Sequence, residues 1–166
     1  MAIYALSDLH LSFGVKDKPM DIFGDKWTNY EEKIKENWNQ KVKEEDTVII
    51  AGDISWAMYL EESLEDFRFL NKLNGTKIIL KGNHDYWWTT VTKMNNFLEE
   101  NNIENIKFLY NNTIELENYM ICGTRYWGYD EETEDNEKVF KREIERAKLS
   151  LEAAKNQNEE KEIIFG

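Results

Sequence analysis

The chain has 166 residues, a length typical of one domain, and 41% of them are apolar, so a folded core is expected. No apolar run approaches the roughly 20 residues of a membrane span, and the first residues lack the basic stretch of a secretory signal. The single cysteine, Cys122, excludes an intramolecular disulfide and a Cys-rich zinc site. These features predict a cytoplasmic protein.

The charge balance is strongly acidic. There are 33 Asp and Glu residues against 21 Lys and Arg, which gives a net charge of -12. Such a field repels polyanions, so a long nucleic acid is not expected as a partner. A phosphate substrate is not excluded, because bound divalent metals reverse the local sign of the charge.

Strand and helix patterns alternate along the chain. Short apolar or β-branched runs predict strands over 3–6, 47–51, 77–80, 106–110, 113–116, 119–123 and 162–165. Residues 113–116 and 119–123 are separated by two residues and are typical of a hairpin. Helices are predicted where apolar side chains recur at intervals of three or four residues: Tyr30, Ile34, Trp38 and Val42; Leu60, Leu64, Phe67, Leu70 and Leu73; Val91, Met94, Phe97 and Leu98; Phe140, Ile144, Ala147, Leu151 and Ala154.

The alternation favours a particular class of fold. Strands that alternate with helices indicate an α/β domain with parallel strand pairs. Residues 130–137 are acidic and polar, and they are predicted to form a surface loop that leads into the last helix. We find no proline- or glycine-rich linker and expect a single domain over residues 1–166.

Metal-ligand residue types follow three successive strands. Asp8 and His10 follow the first strand, Asp53 follows the second, and Asn83 and His84 follow the third. Because ligands bind at the carboxyl ends of the strands in an open α/β sheet, the three segments are expected to meet at one edge. They also contain both histidines of the chain.

The donor types indicate a transition metal. Asp8 and His10 are two residues apart, so in an extended strand they face the same side and can give one cation an oxygen and a nitrogen. Asp53 can bridge two cations through its two carboxylate oxygens, and Asn83 offers an amide oxygen. This mixed set suits manganese, iron or zinc better than calcium.

Residues beside these ligands have predicted supporting roles. Gly52 and Gly82 allow a close approach of the backbone, so that the side chain after each glycine points into a cleft. Asp85 is placed to fix the orientation of the neighbouring His84 ring.

Each motif also has an ordinary structural interpretation. An Asp-x-His pair occurs by chance on surfaces, Gly-Asp after a strand is a common turn, and Asn-His can begin a helix. Cys122 fits a core position better than a nucleophile. Arg125 is compatible with phosphate binding or with a structural ion pair. Four tryptophans are assigned mainly to packing: Trp56, Trp87, Trp88 and Trp127. Three of them lie within a few residues of the motifs, so two or more are expected at the mouth of the cleft. The joint occurrence of three motifs after three strands favours a chemical site.

The motif set resembles the signature of a known family. The residues that carry the resemblance are Asp8-Leu9-His10, Gly52-Asp53 and Gly82-Asn83-His84-Asp85. In this order and spacing they resemble the first three blocks of the calcineurin-like metallophosphoesterases. Wider stretches, 7–14, 18–24, 52–58, 81–88 and 122–125, are similar to a subgroup of bacterial predicted phosphoesterases. The resemblance implies a four-layer α-β-β-α sandwich with a dinuclear metal site.

The same resemblance implies a role for each motif residue. Asp8 and His10 would hold a first metal, Asp53 would bridge both metals, and Asn83 would hold the second. His84 would stabilise the transition state or protonate the leaving oxygen, with Asp85 orienting it. A metal-activated hydroxide would then attack the phosphorus of a phosphate mono- or diester, in a small molecule or a phosphoprotein.

The sequence departs from the family pattern in one respect. The family completes its site with a later histidine and a Gly-His-x-His block, and neither is present in these 166 residues. The chain is therefore expected to represent about the N-terminal two-thirds of the family domain. We expect weak binding of the second metal, low activity, and a possible homo-oligomer that covers the missing region. The alternative is a degenerate phosphoesterase fold that acts as a binding or scaffold module. No membrane partner is expected.

Overall fold

A computed structural model describes residues 1–15, 18, 20–125 and 134–166. The strands are β1 (Ile3–Leu6), β2 (Thr47–Ile50), β3 (Thr76–Ile79), β4 (Ile106–Phe108), β5 (Thr113–Glu115), β6 (Tyr119–Cys122) and β7 (Glu162–Phe165). The α-helices are α1 (Tyr30–Lys41), α2 (Leu64–Asn71), α3 (Val91–Glu100) and α4 (Glu134–Gln157), and short 3-10 helices span Met20–Phe23, Asp25–Trp27 and Leu60–Ser63. The chain divides into two compact units, residues 1–108 and 109–166.

The first unit is built on a four-stranded parallel sheet. The strand order is β1-β2-β3-β4, and Leu6, Ile50, Ile79 and Phe108 lie side by side across it. All four residues of β2 are buried, and so are the last three of β3. Apolar, β-branched strands of this kind are typical of parallel sheets that are covered on both faces. The mixed α/β fold with parallel pairings is confirmed.

The helices of the first unit bury the faces that their periodicity predicts. In α1, Tyr30 and Trp38 are buried, and the Trp38 indole N–H donates to the Asn74 carbonyl at 2.9 Å. Phe67 of α2 and Met94 of α3 are fully buried. Each large apolar side chain buried in this way contributes about 1.5–3 kcal/mol to folding, so these faces fix the helices on the sheet.

The second unit has a mixed three-stranded sheet. β5 pairs antiparallel with β6 as the predicted hairpin, and β7 pairs parallel with β6. Cys122 is fully buried beside Met120 and Ala154, and burial raises the pKa of its thiol. The core assignment of Cys122 is therefore confirmed.

One boundary is wrong in the sequence prediction. The acidic loop expected over 130–137 lies outside the described residues up to 133, and residues 134–137 already belong to α4. Acidic residues in a first helical turn interact favourably with the helix dipole, so an acidic run is compatible with a helix start. No helix among the described residues is long and apolar enough to cross a membrane. The single-domain expectation stays a prediction.

Candidate metal centre

The loops that follow β1, β2 and β3 meet at the carboxyl edge of the parallel sheet. The backbone N–H of Asp8 donates to the Gly52 carbonyl at 3.1 Å, and that of His10 donates to the Asp53 carbonyl at 2.9 Å. The backbone N–H of His84 donates to Oδ1 of Asp53 at 3.0 Å. The expectation that the three motif segments meet at one edge is confirmed.

The path of the first loop differs from the sequence prediction. β1 ends at Leu6, and Asp8 and His10 are not extended but have φ angles of 59° and 47°. Left-handed backbone is uncommon for residues other than glycine, although Asp and His adopt it more readily than most. The two side chains nevertheless converge, with Nε2 of His10 3.6 Å from Oδ1 of Asp8. The loop, rather than an extended strand, therefore brings them together.

Asp8, His10 and Asp53 form a candidate metal-ligand cluster. One ligand atom from each lies within 4.8 Å of the other two. Asp8 is exposed, His10 is mostly buried, and the side chain of Asp53 is 9% exposed. Solvent therefore reaches the cluster mainly at Asp8. Two carboxylates and one imidazole are a donor set that suits divalent manganese, iron or zinc. The residues present therefore fit a metal.

His84 lies against the same carboxylate. Its Nδ1 is 2.9 Å from Oδ2 of Asp53, and its side chain is 40% exposed. The amide nitrogen of Asn83 lies 3.2 Å from the same ring nitrogen, and Asn83 is exposed. The structure thus brings both third-loop residues to the cluster, while their roles toward a metal stay predictions.

Asp85 has different contacts from those expected. Its Oδ2 accepts the backbone N–H groups of Asp53 and Gly82, and its Oδ1 accepts that of Ile54 and the indole N–H of Trp87. Burial raises the pKa of the Asp85 carboxyl, against the opposing effect of these donors. The carboxylate therefore joins the second and third loops, and the His84 ring is held by Asp53 instead.

Gly52 and Gly82 lie where these two loops approach each other most closely. A Cβ atom on Gly52, which has a φ of 97°, would overlap the backbone of Gly82. A Cβ atom on Gly82 would overlap both the carboxylate and the backbone nitrogen of Asp53. Any larger residue at these positions would force the loops apart.

The rings of His10, His84 and Trp56 lie against one another, with the two histidine centroids 6.0 Å apart. The ring of Trp56 stacks on His10 with centroids 4.9 Å apart, and its centroid is 5.6 Å from that of His84. Nζ of Lys18 lies 5.6 Å from the Trp56 ring centroid. Trp87 is buried, as expected for packing, whereas Trp127 lies outside the described residues.

Arg125 lies in the second unit and pairs with a buried acid. Its Nε is 3.5 Å from Oε1 of Glu143. The same oxygen accepts from Arg146 at 2.6 Å, and Oε2 accepts from the Thr124 hydroxyl at 3.1 Å. The ion-pair alternative for Arg125 is therefore present, and phosphate binding by Arg125 stays a prediction.

Sequence reasoning missed the residues that support the first two loops. The Tyr30 hydroxyl donates to the His10 carbonyl at 2.7 Å, and burial raises the pKa of this phenol above its usual range. Asp66 of α2 accepts hydrogen bonds from Phe13 and Ser55. The sequence does contain an indication that Asp66 is buried, because it lies four residues before Leu70 on the apolar face of a predicted helix.

The chain is therefore an α/β protein with a candidate metal site at the carboxyl edge of a parallel sheet, and the ligand types of this site suit a transition metal. A sequence model of the calcineurin-like phosphoesterases matches residues 1–164, and the chain belongs to this family. The predicted superfamily is confirmed. The family consists of hydrolases that use metals, which agrees with the ligand cluster.

Two further comparisons complete this result. A crystal structure of the protein of unknown function AQ665 from Aquifex aeolicus is similar to this chain, with 24% identity and a TM-score of 0.50. The similarity covers 95% of this chain and 75% of the other, and it supports the fold alone. A search of curated proteins found no match.

Proposed function

We propose that this chain is a metal-dependent phosphoesterase that hydrolyses a phosphate mono- or diester. The observation that carries the proposal is the convergence of Asp8, His10 and Asp53 to within 4.8 Å at the carboxyl edge of the sheet. Membership of the calcineurin-like phosphoesterases supports it.

The proposed site uses two divalent ions of manganese, iron or zinc. Asp8, His10 and Asp53 would hold the first ion, and Asp53 with Asn83 would hold the second. When bound, such ions provide an activated water nucleophile near neutral pH and neutralise charge on the phosphate oxygens. The side chains of the site contribute orientation and charge before any substrate arrives, which is the main protein contribution to phosphoryl transfer.

His84 is the proposed proton donor to the leaving oxygen. Its ring is exposed enough to meet a substrate, and the 2.9 Å contact of Nδ1 with Asp53 holds its orientation. Nε2 is then the nitrogen that can hand a proton to the departing alkoxide, a task for which imidazole is suited near neutral pH. Trp56 and Tyr86, with ring centroids 5.6 and 6.4 Å from that of His84, restrict its movement.

The proposed substrate is a small phosphoester or a phosphoprotein. A net charge of -12 disfavours long nucleic acids. The composition supports a cytoplasmic location, and nothing in the site requires a membrane.

A second candidate is a phosphoesterase-fold binding module without turnover. It is favoured by the small number of ligands for a second metal, because the chain has two histidines and both already lie in the first three motifs. The second metal then has Asp53 and Asn83 as its protein ligands in this sequence, and two ligands hold a transition metal weakly. We therefore expect a tight first site and a weak second site.

The test is a titration of Mn²⁺ into the metal-stripped chain by calorimetry, followed by hydrolysis of p-nitrophenyl phosphate and bis(p-nitrophenyl) phosphate. Asp53→Asn removes the charged ligand, and Asp46→Asn makes the same change in a buried carboxylate at the opposite end of the sheet. We expect Asp53→Asn to abolish measurable Mn²⁺ binding and all hydrolysis, while Asp46→Asn leaves the Mn²⁺ affinity unchanged.

The outcomes separate the two candidates. Mn²⁺ binding with hydrolysis, both lost in Asp53→Asn, supports the phosphoesterase. Mn²⁺ binding without hydrolysis of either ester supports the binding module. A wild-type chain that binds no Mn²⁺, Fe²⁺ or Zn²⁺ would contradict both.

A further inference from the structure

The metal-ligand loops after β1 and β2 run side by side and continue the pairing of these two strands beyond their ends in an irregular form. Beyond the bonds at Asp8 and His10, the Leu11 N–H donates to the Ile54 carbonyl and the Trp56 N–H donates to the Leu11 carbonyl, each at 2.9 Å. Leu11 and Ser55 form an isolated parallel bridge. The relative position of these loops therefore sets the distance from Asp8 and His10 to Asp53.

One carboxylate of α2 is bonded to both loops just beyond this bridge. Oδ1 of Asp66 accepts the backbone N–H of Phe13 at 2.8 Å, and Oδ2 accepts the hydroxyl of Ser55. The Ser55 oxygen in turn accepts the backbone N–H of Ala57 at 3.0 Å. Asp66 is thus the common partner of the first and second loops.

The position of Asp66 is unfavourable for a carboxylate. Its side chain has no exposure to solvent, and none of the Lys and Arg residues in the described parts of the chain forms an ion pair with it. Burial raises its pKa to about 6, although the hydrogen bonds from Ser55 and Phe13 oppose the rise. A buried acid that has no cationic partner is not expected to stabilise the fold, because an apolar residue of similar volume at such a position often gives equal or greater stability.

We infer that Asp66 is a positioning residue that holds the loop of Asp8 and His10 in register with the loop of Asp53. This role rests on the proposed function, since it gives the metal ligands their mutual geometry. Asp66 itself does not touch the ligand cluster and acts through Phe13 and Ser55. Residues that hydrogen-bond metal ligands directly typically change metal affinity by about 10- to 100-fold when removed, so a residue that acts through two loops is expected near the lower end of this range.

Two substitutions separate the bonds of Asp66 from its charge. Asp66→Asn keeps an oxygen that accepts from Phe13 and adds an amide that can donate to Ser55, so the tie between the loops is retained. Asp66→Ala removes both bonds. Ser55→Ala removes one of them and serves as the milder variant if Asp66→Ala does not fold.

Asp46 provides the matched control. It is a buried aspartate of the same unit that accepts two backbone N–H groups, those of Ala2 at 2.6 Å and Lys43 at 2.9 Å, at the other end of the sheet. Asp46→Ala therefore removes a comparable pair of bonds from a position remote from the metal ligands. Any general effect of lower stability will be present in both alanine variants.

The experiment measures Mn²⁺ affinity by calorimetry and amide hydrogen exchange in the metal-free full chain. We expect Asp66→Ala or Ser55→Ala to weaken Mn²⁺ binding by about tenfold or more and to speed exchange of the His10 and Leu11 amides by about tenfold. Asp66→Asn and Asp46→Ala should stay within about threefold of the wild type in both measurements.

Exchange keeps this inference separable from the proposed function, because it requires no metal. Faster exchange of the His10 and Leu11 amides in Asp66→Ala than in Asp46→Ala supports the positioning role, even if the wild type binds no Mn²⁺ and the proposed function fails. Equal exchange in the two alanine variants overturns it. Wild-type Mn²⁺ affinity in a folded Asp66→Ala variant also overturns it.

Discussion

At each end of the parallel sheet, aspartate side chains accept hydrogen bonds from backbone N–H groups, but the pKa of these carboxyls is shifted in opposite directions at the two ends. At the amino end, Asp46 accepts the N–H groups of Ala2 and Lys43, and these bonds lower the pKa of the carboxyl. At the carboxyl end, Asp66 and Asp85 also accept backbone N–H groups, but burial raises the pKa of both.

The backbone shows the same contrast. At the amino end, left-handed conformations fall on Gly75 and Asn102, residue types that adopt them at little cost. At the carboxyl end they occur at Gly52 and also at Asp8, His10 and Asp53, which form the candidate metal-ligand cluster. Strained backbone at residues other than glycine therefore coincides with the candidate metal ligands, as is common at functional sites.

Of the substitutions that test this contrast, Gly82→Ala at the carboxyl end should have the largest effect on the free energy of unfolding. The new Cβ would overlap the carboxylate and backbone nitrogen of Asp53, and overpacking against backbone should lower the free energy of unfolding by more than about 3 kcal/mol. Gly24→Ala is the control, because Gly24 has a φ of 117° and, among the described residues other than its chain neighbours, no atom lies within 4 Å of a new Cβ. It should cost about 1 kcal/mol of backbone strain and leave the Mn²⁺ affinity unchanged.

Urea unfolding and calorimetry with Mn²⁺ provide both measurements. Equal losses of stability in Gly82→Ala and Gly24→Ala would contradict the close approach of the two loops.

The pH dependence of stability should have opposite signs at the two ends. Asp66 has a folded pKa of about 6 against an ordinary value of 3.8, so the folded chain keeps a proton that the unfolded chain releases. Its contribution is full below pH 3.8 and is lost as the pH rises through about 6. The free energy of unfolding of the wild type, relative to Asp66→Asn, should fall by about 3 kcal/mol over this range. The nearby charge of Glu65 acts in the same direction as burial.

Asp46 should behave in the reverse way. Because its folded pKa is lowered, its contribution is present above pH 3.8 and is lost as the pH falls below that value. Urea unfolding of metal-free wild type, Asp66→Asn and Asp46→Asn between pH 3 and 8 measures both contributions. Slopes of the same sign would remove the contrast between the two ends.

The smallest effect is expected from Arg125→Gln in the second unit. Glu143 keeps its contacts with Arg146 and Thr124, so the free energy of unfolding should fall by up to about 1 kcal/mol. If the ion pair is the whole role of Arg125, the KM for p-nitrophenyl phosphate should stay within about twofold of the wild type. A large rise in KM at constant kcat would instead assign Arg125 to substrate binding.

The sequence was sufficient to predict the strands and the α-helices, because burial of a periodic apolar face decides them, but it did not predict the 3-10 helices at Met20–Phe23 and Asp25–Trp27. The α1 face of Tyr30 and Trp38 and the buried run of β2 each appear in the structure where the pattern predicts them. The start of α4 at Glu134 was not predicted, because its first turn has no apolar periodicity.

The candidate site was predicted in its residues and not in its internal contacts. Asp8, His10 and Asp53 could be found because parallel strands end at a common edge. Their left-handed backbone, and the partners of Asp85, depend on hydrogen bonds between loops that are distant in sequence. No local propensity encodes such bonds, and the Asp85 carboxylate that sequence proximity assigned to His84 is bonded to Asp53, Ile54 and Gly82 instead.

The parallel order of the sheet also has a consequence for how the molecule folds. Asp53 and His84 are separated by 31 residues, and the contacts between different loops of the site need a complete strand-helix-strand crossover before they can form. Contacts of this range appear late, since the chain entropy of closing the loops must be lost first. The unfolded chain therefore has no preformed metal site, and any ion that binds the cluster stabilises the native state by a free energy that rises with the logarithm of the free ion concentration once that concentration exceeds the Kd.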